Sequence, residues 1–163
     1  MAGSPRQSAT VTRDTSPVEL IAELHRRQSE MYAGGSIDPV VELLAGDIVW
    51  HVPGRSPIAG DHRGVEQVIA YFERRRRLAN ATMRMRPGEV IFAGDAVARF
   101  VEGSAVLDGE RVSWQTVGIY RVDVENRRIH EVWLVPLDGD LFDRIWSGHR
   151  VEQPCSKQNP RGT

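Results

Sequence analysis

The stretch that decides the fold is Ala96-Val-Ala-Arg99-Phe-Val-Glu-Gly-Ser-Ala-Val-Leu107-Asp108-Gly109-Glu110-Arg-Val-Ser-Trp114-Gln-Thr-Val-Gly-Ile-Tyr120-Arg121. Two long runs rich in β-branched and aromatic residues flank Asp108-Gly109, a strong short hairpin signal. If those two residues form the turn, Leu107 faces Glu110 and the register of both strands follows. One face then carries Val97, Arg99, Val101, Gly103 and Ala105 with Val112, Trp114, Thr116, Gly118 and Tyr120. The other carries Phe100, Glu102 and Ser104 with Arg111, Ser113, Gln115 and Arg121. The first face is apolar and aromatic, and Gly103, Ala105 and Gly118 leave room where a packed core prefers bulk. It is read as the wall of a pocket; the alternative is that helix side chains fill those gaps.

Further strands are expected at 82–92 and 128–135 around this pair (95–107 and 110–122), with turns at Gly94-Asp95 and Glu125-Asn126. Upstream, Ser16-Pro17-Val18-Glu19 has the form of a capping box and opens a helix that Gly34-Gly35 ends. A short helix at about 39–45, a strand at 47–52, a turn-rich loop at 53–57 and a helix at 65–78 follow. A closing helix at 139–147 carries Leu141, Phe142, Ile145 and Trp146. Helices and strands are segregated, which indicates an α+β domain. Residues 1–15 and 149–163 are polar, without apolar periodicity, and are expected to be disordered tails around a domain at 16–148.

Composition narrows the function classes. The 163 residues suit one domain, and 21 Lys+Arg against 22 Asp+Glu give a net charge of −1, with no global field for nucleic acid or an anionic membrane. No apolar run approaches a membrane span, the N-terminus lacks a signal-peptide stretch, and the lone Cys155 forms no intrachain disulfide. A cytoplasmic protein is expected. Scattered histidines and the lack of a glycine-rich phosphate loop leave neither a metal nor an organic cofactor expected. Arg74-Arg75-Arg76-Arg77 is read as a solvated helix end that complements the dipole, with most of the four facing solvent.

The segment Asp47-Ile-Val-Trp50-His51-Val-Pro53-Gly54-Arg-Ser-Pro57-Ile-Ala-Gly60-Asp-His-Arg-Gly64 resembles the SnoaL-like and ketosteroid-isomerase-like proteins of the nuclear transport factor 2-like superfamily. Glu131-Val-Trp133-Leu-Val-Pro136-Leu-Asp138, through Asp143 and Trp146, is similar to the last strand and closing helix of that group. The resemblance spans about 17–148. It implies a cone: a curved antiparallel sheet wrapped over three N-terminal helices, with a short C-terminal helix, a ligand inside and a homodimer across the sheet. It also implies that His51 stands where steroid isomerases carry their general base, and an imidazole suits proton transfer near neutral pH. The oxyanion-hole positions fall near Gln28 and Gly118, which argues against steroid isomerisation. Leu134 takes the place of an Asp that limonene epoxide hydrolases need.

The expected function is therefore a cofactor-independent isomerase or cyclase acting on a hydrophobic, polyketide-like molecule, as in antibiotic biosynthesis. His51 would be catalytic, with Arg99, Trp114, Tyr120, Gln28, Glu131 and Trp133 around the substrate. Arg99 needs a carboxylate or a bound anion if buried. Glu131 could serve, with Trp133 inward, if the last hairpin loop is even; an odd loop or bulge would turn His130, Val132 and Leu134 inward instead. The second reading is a non-catalytic small-molecule-binding or dimeric scaffold protein. Phe100, Val106, Val117 and Ile119 make the outer face too apolar for full exposure, so a homodimer across it is expected.

Overall fold

The computed structural model describes residues 16–147 of the chain. Its elements are α1 (Pro17–Tyr32), α2 (Asp38–Val41), β1 (Leu44–Val52), β2 (Gly60–Arg63), α3 (Gly64–Ala79), β3 (Arg84–Ala93), β4 (Ala96–Leu107), β5 (Glu110–Asp123), β6 (Arg128–Pro136) and α4 (Gly139–Trp146). One six-stranded sheet runs β2-β1-β6-β5-β4-β3. It is antiparallel except where β1 lies parallel to β6. This is the expected α+β cone, with helices packed on one face of a curved sheet. The two expected tails lie outside the described residues.

The local signals behave as their chemistry requires. Ser16 Oγ accepts from the Glu19 amide and Glu19 Oε2 accepts from the Ser16 amide, both at 3.1 Å, which closes the capping box. Asp108 and Gly109 take positive φ values of 50° and 82°, and Leu107 pairs with Glu110. All twelve residues of β4 pair in the expected register, from Ala96 with Arg121 onward.

Three expectations shift. The second helix stops at Val41 and Leu44-Ala45 already belong to β1, because a short apolar run reads equally as helix or strand. The polar edge strand β2 has no alternation to reveal it; it pairs with β1 through Trp50–His62 and His51–Asp61. The β5–β6 register slips between Arg121 and Val122, so Ile129 and Val132 turn inward around an outward His130.

The core lies between the sheet and the helices. Leu20, Ile21, Leu24 and Met31 of α1 and Val68 and Phe72 of α3 are fully buried against the inner face. Trp146 of α4 packs edge-on against Trp114, with ring centroids 5.2 Å apart. Asp138 caps α4 through the Leu141 amide at 2.9 Å. Asp143 accepts from the Arg55 and Ser56 amides at 3.0 and 3.1 Å and fastens the loop after β1 to α4.

Candidate functional site

The inner face carries the expected residues, but its gaps are occupied. A Cβ on Gly103 would overlap the indole of Trp114, its cross-strand partner, and a Cβ on Gly118 would overlap the Tyr120 hydroxyl. The glycines thus seat two aromatic rings, and the enclosed space measures only about 30 Å³. Gln28, Trp50, Arg75, Trp114, Thr116 and Tyr120 are among the residues lining it. The roomy pocket expected from small residues is a tight one, since cross-strand and next-but-one rings fold back over a bare backbone.

Two buried polar groups define its chemistry. His25 of α1 and Tyr120 of β5 meet at 2.9 Å between Nε2 and Oη, while His25 Nδ1 has no partner. Burial, reinforced by the Arg99 guanidinium, holds the imidazole down at about 3, so it is neutral around pH 7. Burial pushes the Tyr120 phenol up, with the nearby Tyr71 acting in the same direction, so it keeps its proton. Arg75 of α3 is the second group. Its guanidinium stacks on Trp146 at 4.6 Å and donates to Tyr71 Oη at 3.1 Å.

The sequence-derived site residues divide between the two faces. Gln28, Trp114 and Tyr120 come together at the cavity, and Arg99 lies half-buried on the same face. Arg99 donates from Nε to the Gly88 carbonyl at 3.4 Å, where β3 bulges, rather than to Glu131. His51, Glu131 and Trp133 sit on the opposite face, because strand alternation that buries Trp50 and Val132 turns their neighbours outward. The even-loop alternative for the last hairpin therefore fails, and the bulge alternative holds for Val132 and Leu134 but not for His130. His51 is no rim imidazole: its Nδ1 bonds Asp61 at 2.7 Å, its Nε2 bonds Glu131 at 2.8 Å, and its ring stacks on Trp133. Although burial opposes its charge, those two carboxylates raise its pKa.

His25 and Arg75 escaped the sequence reading, yet both follow from helical spacing. Ile21, His25, Gln28 and Tyr32 share one face of α1, and Val68, Tyr71, Phe72, Arg75 and Ala79 one face of α3. In the arginine run Arg74 and Arg77 are exposed and Arg76 is half-buried, while Arg75 alone of the four is buried. Among the described residues no cluster of His, Cys, Asp or Glu has the geometry to hold a metal ion. Nor is any described helix long and apolar enough to cross a membrane.

The SnoaL-like domain model matches residues 25–132, more than half of the chain. The chain belongs to the SnoaL-like family, and its fold is like that of an NTF2-like protein of unknown function from Burkholderia pseudomallei. It is similar to Bal32a from a soil-derived mobile gene cassette, with 27% identity and a TM-score of 0.70 over 80% of this chain and 99% of that one. A protein of unknown function with a cystatin-like fold from Xanthomonas campestris superposes with a TM-score of 0.72 at 23% identity, covering 83% of this chain and 99% of that one. The epoxide hydrolase/cyclase-like enzyme SalBIII, of pyran ring formation in polyether salinomycin, superposes with a TM-score of 0.61 at 18% identity, over 74% and 89%. No curated protein matches the sequence.

Proposed function

We propose that this protein is a cofactor-independent isomerase or cyclase, acting by acid–base chemistry on a hydrophobic, polyketide-like molecule held between the sheet and the helices. The observation that carries this reading is the buried His25–Tyr120 pair beside an aromatic-lined cavity. With its proton on Nε2, His25 donates to Tyr120 Oη, and the Tyr120 O–H is left to donate to a ligand oxygen. A phenol kept protonated by burial is the form that stabilises a developing oxyanion, and Gln28 supplies a second donor from the same wall. A ligand larger than water enters when Trp114 turns off Gly103, leaving Tyr120 seated beside His25. His51 has no part in this scheme because it faces away from the cavity.

The test is incubation with cyclisable poly-β-ketone and hydroxylated aromatic substrates, followed by chromatography for products of unchanged or water-depleted mass. Wild-type protein should accelerate product formation, and Tyr120→Phe should lose about 10²-fold or more, the usual cost of an oxyanion donor. Equal product with and without the protein would sink the enzymatic reading. It would favour the second one, a binding module without turnover, which one observation supports: an imidazole held at about 3 lies far from the neutral pKa that suits a general base.

We also propose a cytoplasmic homodimer joined across the outer face. Phe100, Ile119 and Val135 are exposed there, and Val117 stands between Phe100 and Val135 in adjacent strands.

A further inference from the structure

Arg75 lies one or two helical turns along α3 from Val68, Tyr71 and Phe72, at a position the apolar stripe reserves for the core. It is 6% exposed. Three rings surround its guanidinium: Trp146 at 4.6 Å and Tyr32 and Tyr71 at 5.5 Å each. Its Nη1 donates to Tyr71 Oη at 3.1 Å and to Tyr32 Oη at 3.5 Å. Its Nε–H is buried without an acceptor. The ion pairs found among the described residues leave Arg75 without a carboxylate. A guanidinium carries more N–H donors than two phenols accept from, and a buried cation lacking a counter-charge is costly.

The surroundings repeat that imbalance. Trp50, which lines the same cavity, has an Nε1–H with no acceptor in hydrogen-bonding geometry, although the Tyr71 hydroxyl stands close enough to feel it. Thr116 already spends its hydroxyl on the Val101 carbonyl at 3.4 Å. The cavity thus sets a cation with an unused Nε–H, and no carboxylate, beside an indole N–H whose nearest acceptor, Tyr71, is poorly aligned, an arrangement that an oxygen anion would complement. Arg pairs with planar oxygen anions through parallel N–H bonds, which water or a neutral group does not match.

We propose that Arg75 anchors an anionic oxygen group, a carboxylate or an ionised enol, on the hydrophobic molecule that occupies this cavity. The inference rests on the reading of the cavity as a ligand site, and it narrows the substrate class to hydrophobic acids. The aromatic cage then serves two ends: it keeps the cation dry, and it makes the anion's contact strong by excluding water.

Calorimetric titrations with two probe pairs test it: benzoate against benzamide, and dimedone as its ionised enol against its O-methyl ether. In wild-type protein at least one anion should bind about tenfold or more tightly than its neutral analogue, a difference characteristic of a charge-assisted pair. That preference should vanish in Arg75→Met. A preference confined to benzoate assigns the carboxylate, and one confined to dimedone assigns the enol. The Arg75 Nε–H resonance of the wild-type protein should move with the preferred anion, and it decides the matter should Arg75→Met fail to fold. Equal affinity for charged and neutral probes, a preference that survives in folded Arg75→Met, or an unmoved Nε–H resonance would overturn the assignment of Arg75 and leave the cavity as a neutral ligand site. Binding by none of the four probes would overturn both readings.

Discussion

Tyr120 Oη stands 2.9 Å from His25 Nε2 because Gly118, two residues earlier on the same strand, lacks a Cβ. The phenol folds back over the bare backbone and its hydroxyl meets α1. The geometry of the buried pair is therefore set by a residue that touches neither a ligand nor the imidazole.

Gly118→Ala should push the hydroxyl off its seat and break the bond to His25. A buried polar pair left unmatched costs about 1–3 kcal/mol. Urea denaturation should register that loss, and the His25 ring resonances should move. Unchanged stability together with unchanged His25 resonances would show that the ring is seated by something else.

His51 gives the protein a pH dependence on its outer face. Its folded pKa is raised above the unfolded value by Asp61 and Glu131. The contribution of this cluster is therefore complete below the unfolded pKa of about 6.5 and is lost as pH rises through the folded value. Wild-type stability should exceed that of His51→Gln most at about pH 6, and the gap should shrink toward about pH 9. The imidazole is partly exposed, so solvent moderates the effect. A gap that widened with pH would contradict the sign.

Asp143→Ala should loosen the loop after β1. The Arg55 and Ser56 amides lose a charged acceptor, and such bonds contribute about 1.5–3 kcal/mol. Hydrogen exchange should quicken at those two amides while the β4–β5 ladder stays protected. Uniform loss of protection would show that the clamp holds the whole domain rather than one loop.

Ile119→Lys should leave the fold intact and separate a dimer joined through the outer face. Ile119 sits between Ala98 and Trp133 in adjacent strands, and a charge there cannot pack against its own copy. Light scattering at micromolar concentration should read two chains for the wild type and one for the variant. A wild-type monomer would remove the proposed interface.

Much of this architecture was legible in the residues. Asp108-Gly109 specified a turn type, and a two-residue period then placed Trp114 and Tyr120 on the inner face. The same period misplaced nothing on β4 or β5. It gave no guide to β6, where one bulge near His130 reversed which alternate residues face inward. The facing of His51 follows from its parity with Trp50, whose burial turns the next residue to the outer face, a relation that a matching family position does not convey. Arg75 was hidden by its neighbours, since four consecutive arginines read as one charged end although helical geometry gives each a different bearing. The small size of the cavity was not legible, because the sequence shows that glycines make space but not which ring takes it.

The parallel seam between β1 and β6 has a consequence for how the molecule assembles. His51 and Glu131, bonded across it, are 80 residues apart in the chain. On its other edge β1 has only the four-residue β2 to pair with, so the first strand waits for the last one. Pairing over so long a stretch of chain is the kind of non-local contact that slows folding, and until β6 is in place β1 presents an open strand edge.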